Sequence, residues 1–149
     1  MRVRPAALLL VAICVTGGAG CTDVRGYHGS WQGAVVDSPS AQVREGFGAT
    51  VTATLTLERV DTRDIAGRVS TSDGLLVDAP LVPIRPAAND VLGDISFAGD
   101  PLRTYFTSAA TTDGRGAALV LVSLLPGDRA EVRILRPASL YGVFRLRRD

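Results

Sequence analysis

The side chains able to do chemistry in this 149-residue chain are few. His28 is the single histidine, and all 16 basic residues are arginine. With no lysine there is no Schiff-base nucleophile, no lysine general base and no P-loop lysine. His28 has the chemistry of a general base or metal ligand, but it stands beside Tyr27 near the start of the folded domain and reads as a solvated surface residue. Aspartate dominates the acids, 12 against 3 glutamates, and Asp61, Asp64, Asp73, Asp90, Asp100, Asp113 and Asp128 fall in turn-like contexts. There a short carboxylate bonds nearby backbone amides. Neither residues 61–64 nor residues 90–94 have the alternating oxygen ligands of a calcium loop. Asp78 and Asp94 are the acids inside apolar segments, and paired carboxylates can hydrolyse glycosides. Alternation groups Asp94 with Leu92 and Ser96, which reads as a solvent face. Ser70 and Ser72 lack the Gly-x-Ser-x-Gly setting of a hydrolase nucleophile. These residues predict a non-enzymatic protein with no cofactor and no metal.

One concentration of charge remains: Arg129, Arg133, Arg136, Arg145, Arg147 and Arg148. Glu131 and Arg133 share a strand face, as do Tyr141, Arg145 and Arg147. Adjacent antiparallel strands would set them side by side as an arginine-rich outer stripe, suited to an anionic polymer, a lipid head group or an acidic partner. Net charge is +1 and aromatic content 5%, so neither a nucleic-acid field nor base stacking is supported.

The elements that position these groups begin after an N-terminal leader. Arg2 and Arg4 precede an apolar run over residues 6–15, then Thr16-Gly17-Gly18-Ala19-Gly20 and Cys21. Charge, a short apolar stretch and small residues are the layout of a secretory signal peptide, and the run is shorter than the roughly 20 residues a membrane helix needs. Cys14 would leave with residues 1–20, and Cys21 would be the lone cysteine of an exported chain. From Cys21 onward, 14 arginines stand against 15 acids, a net charge of −1.

The remainder reads as strands. In residues 50–58, Val51, Ala53, Leu55 and Leu57 alternate with Thr52, Thr54, Thr56 and Glu58, a period of two with one face buried. Further strands are expected at 30–36, 65–70, 91–98, 103–109, 117–125, 130–135 and 140–147, punctuated by turn residues. Residues 75–84 are extended, but Pro80 and Pro83 confine them to an edge or an irregular stretch. No helical period persists. The expectation is an all-β, antiparallel up-and-down barrel of 8–9 strands over residues 27–149, with a β-sandwich as the alternative.

Two resemblances add to this reading. Gly18-Ala19-Gly20-Cys21 resembles the signal of bacterial lipoproteins, with Gly18 where that family usually has leucine. It implies a lipidated Cys21 (palmitate among its acyl chains), a tether over residues 21–26 and a membrane partner reached through the anchor. Thr22 follows, rather than the aspartate that retains such proteins in the inner membrane, which implies an outer-membrane lipoprotein of the cell envelope. Gly29-Ser30-Trp31 resembles the opening motif of lipocalin and calycin barrels. That resemblance implies a basic residue of the last strand packed over Trp31, with Arg145 and Arg147 as the candidates, and Phe97, Phe106 and Phe144 as possible ligand-facing rings. The expected function is binding: an envelope accessory protein with a protein partner. The alternatives are a carrier of a small apolar ligand and a periplasmic hydrolase inhibitor using the polar segment 37–46.

Overall fold

Alternation in residues 52–60 appears as alternating burial: Ala53, Leu55 and Leu57 are buried, and Thr56 and Glu58 are exposed. The same logic builds each long strand of the computed structural model, which describes residues 23–38, 50–85, 101–137 and 139–149. A short 3-10 turn at Arg25–Tyr27 precedes β1 (Gly29–Asp37), β2 (Thr52–Val60) and β3 (Ile65–Thr71). Two dipeptides follow, β4 (Ala79–Pro80) and β5 (Val82–Pro83). The chain then runs through β6 (Arg103–Ala110), β7 (Ala117–Leu125), β8 (Arg129–Arg136) and β9 (Ser139–Arg148).

All pairings are antiparallel, in the order β4-β3-β2-β1-β9-β8-β7-β6-β5. The two ends of that order are consecutive in the chain, separated only by Leu81, whose N–H donates to the Gly67 carbonyl while Ile84 N–H donates to Phe106. The protein is thus an all-β, nearly closed up-and-down barrel. A sandwich would need two sheets, and one sheet holds every described strand. The expected strand 91–98 lies outside the described residues. Residues 75–84 contribute only the two dipeptides, because Pro80 and Pro83 have no N–H to donate.

Turns follow their side chains. Asp61 accepts the N–H groups of Arg63 (2.8 Å) and Asp64 (2.7 Å), closing the β2–β3 connection. The β7–β8 loop needs left-handed backbone at both Gly127 (φ 76°) and Asp128 (φ 49°). At two strand-interior glycines the neighbouring backbone comes too close for a side chain. A Cβ on Gly33 would lie 1.9 Å from the Arg145 carbonyl oxygen, and one on Gly67 would lie 2.1 Å from that of Thr56.

Among the described residues, the middle of the barrel interior is filled. Val120, Val122, Leu124, Val132, Ile134 and Phe144 each have 0% exposure, as does Trp31. A cavity wide enough for water would leave accessible area on its walls, and these side chains retain none.

Candidate functional site

Trp31 and its surroundings form one end of the barrel. The β1–β9 register sets Trp31 opposite Arg148, and the Arg148 guanidinium lies over the indole at 4.7 Å from its centroid. Tyr27 stacks on the indole from the preceding turn, with centroids 5.5 Å apart and planes 9° from parallel. Its hydroxyl donates to the Leu125 carbonyl at 2.6 Å, and burial, the largest cause, pushes the phenol pKa up. The indole N–H donates to Tyr27 O at 3.1 Å, and Arg148 also donates to the carbonyls of Gly26 and His28. First strand, last strand and N-terminal turn are clamped together here, with a cation–π contact worth about 0.5–2 kcal/mol.

The cation over Trp31 is therefore Arg148, and the expectation of Arg145 or Arg147 is corrected. Phe144 and Leu146 are buried in the core, so alternation carries the inward face to residue 148 and turns residues 145 and 147 outward. That parity was readable in the sequence. A second correction concerns Phe106. Tyr105, Thr107 and Ala109 occupy the inward face of β6, so Phe106 points out, across from Leu121. Phe144 points in but is packed among core side chains, 6.4 Å from the Tyr141 ring. Phe97 and Cys21 lie outside the described residues. His28 is exposed, with Nδ1 2.9 Å from the Arg25 carbonyl.

The arginine stripe lies on the outer wall of β8 and β9. Their register places Arg129 opposite Arg147, Glu131 opposite Arg145 and Arg133 opposite Val143. Glu131 faces outward yet is only 1% exposed. Its Oε1 accepts a hydrogen bond from Arg133 Nε at 2.7 Å, while Oε2 has no hydrogen-bond partner among the described residues and lies 3.9 Å from Arg145 Nε. Residues 123 and 104 extend the same row across β7 and β6, where the Ser123 and Thr104 hydroxyls meet at 2.9 Å. Nothing in the sequence distinguished Glu131 from a solvated acid, since its depth depends on what packs around the outer wall. Arg129 Nε donates to Pro126 O at 3.0 Å. Arg147 has no hydrogen bond or ion pair with a described residue, and both arginines are exposed. Arg136 is drawn away from the stripe by an ion pair with Asp113.

Chemically, this surface offers exposed guanidinium forks, which suit phosphate or carboxylate oxygens. Among the described residues no group of three or more histidine, cysteine or acidic side chains is disposed to hold a metal ion. Compared with known families, curated proteins and solved structures, the chain gives no match.

Proposed function

We propose that this protein is a non-enzymatic, lipid-anchored component of the cell envelope that works by binding through the outside of its barrel. The observation that supports the binding half of this reading is the packed middle of the barrel: among the described residues, Val120, Val122, Leu124, Val132, Ile134 and Phe144 retain no accessible surface, which favours recognition on the outer wall. That weighs against the carrier of a small apolar ligand. The anchored half rests on Gly18-Ala19-Gly20-Cys21 and on the lone cysteine left after the apolar run. Several acyl chains on one cysteine, at about 0.8 kcal/mol per buried methylene, hold a domain at a membrane without a spanning helix. Thr22 after the cysteine favours the outer membrane.

The test is metabolic labelling with a tagged palmitate in a bacterial host. The wild-type chain should take up label and partition with membranes, and Cys21→Ser should do neither. Equal labelling and partitioning of both chains would remove the anchored reading.

A further inference from the structure

We propose that the outer wall formed by Arg129, Arg145 and Arg147 is a docking surface for the anionic headgroups of a phospholipid membrane. Arg129 and Arg147 stand directly opposite each other, and like charges in that relation destabilise a sheet. The outward neighbours along their row are Leu125 on β7 and Gln32 on β1, neither of which neutralises them. Among the described residues, three acids lie nearby. Glu131 is held by Arg133, Asp128 lies 3.5 Å from Arg148, and Asp149 accepts a hydrogen bond from Ser30. With Arg133, Glu131 and Asp149 included, the described patch carries four arginines against two acids, a local charge of +2. The chain from Cys21 onward is near neutral, so the attraction is local to this wall.

Shape and position favour a membrane over a small anion. The side chain of Arg145 is 59% exposed, and Arg129 and Arg147 are likewise exposed on the same outer wall. Such a wall encloses no single ion, but a plane of phosphates can meet all three at once. The N-terminal turn is pinned to the same end of the barrel by the Tyr27 bond to Leu125 and the Arg148 bond to Gly26. The two-residue step from Cys21 to Asp23 covers at most about 7 Å. In this respect alone the inference rests on the anchored reading: an acyl group on Cys21 would bring this end of the barrel to the membrane.

The test uses the full chain with Cys21→Ser, so that acylation plays no part, on vesicles of phosphatidylcholine alone or mixed with phosphatidylglycerol. The apolar run at residues 6–15 acts alike in every variant and drops out of the comparison between them. At roughly fivefold per arginine near an anionic surface, the parent should favour the mixed vesicles about a hundredfold at low salt. The triple variant Arg129→Gln, Arg145→Gln, Arg147→Gln should lose most of that preference. A control triple, Arg63→Gln, Arg85→Gln, Arg115→Gln, removes equal charge elsewhere and should keep it. Matching urea midpoints establish that the variants fold alike. Equal preference in parent and first triple, or equal loss in both triples, overturns the proposal. Failure to acylate wild-type Cys21 would sink the anchored reading and leave this result standing.

Discussion

β8 and β9 face each other over eight residue pairs, whereas the chain at 79–83 meets β3 and β6 over two pairs each. Both regions complete the same barrel. In the long ladder, pairing is interrupted only by a register shift between Ile134 and Leu135, and core side chains fill the inner face. At the join, Pro80 and Pro83 withhold donors, so buried Leu76, Ala79 and Leu81 supply the cohesion instead. Val77, Val82 and Ile84, three of the large hydrophobic residues left exposed, also lie there. The contrast teaches that one barrel can be sealed by register on one side and by a few buried side chains on the other. The join is where opening should begin.

The sharpest way to break the ladder side is Gly33→Ala. A methyl group 1.9 Å from the Arg145 carbonyl oxygen forces β1 from β9, and the loss should exceed the usual overpacking cost of about 1–3 kcal/mol. Urea denaturation should show a collapsed midpoint or no folded chain. Gly26→Ala, with nothing within 4 Å, should fold normally.

On the other side, Leu81→Ala should cost about 2–4 kcal/mol by leaving a void under the join. Hydrogen exchange adds the spatial detail: the amides of Leu81 and Ile84 should exchange well before those of β7 and β8. Uniform protection across both regions would erase the contrast drawn above.

Removing the clamp at the Trp31 end tests the corrected assignment. Arg148→Ala should cost about 1–2 kcal/mol, because it deletes the cation over the indole and the bonds to Gly26 and His28. Arg147→Ala should change stability by no more than about 0.5 kcal/mol. A reversed ranking in thermal melts would return the closing role to the outer arginine.

The smallest effects are in pH. Burial pushes the Tyr105 phenol, whose hydroxyl donates to the Asp61 carbonyl, up to about 12. The unfolded phenol ionises near 10, so this contribution is intact below about pH 10 and disappears as pH rises to about 12. Tyr105→Phe should remove that alkaline decline. The hydrogen bond from Thr111, then the Arg115 N–H and Arg136, hold Asp113 down to about 2. Its contribution is present above the ordinary 3.8 and lost as pH falls through about 2. Asp113→Asn should flatten that part of the acid limb in melts recorded across pH.

Much of the architecture was legible from pattern alone. The alternation of Val51, Ala53, Leu55 and Leu57, the turn at 126–128 and the prolines at 80 and 83 carry their structural meaning locally. The arginine stripe was legible too, because parity along two neighbouring strands decides which residues share a face. The burial of Glu131 was not, since depth on an outer wall depends on packing that no local period records. Arg148 was within reach of the same parity argument, extended inward from Phe144 and Leu146.

By itself, then, the sequence determined strand character, turn positions and the face each side chain takes, because these follow from a two-residue repeat and from the backbone freedom of glycine, proline and aspartate. Only the tertiary structure decided that the segment 79–83 bridges both edges and that Arg129 stands against Arg147. The physical reason is register: local pattern sets which way a side chain points, while barrel closure and strand offset set what it meets.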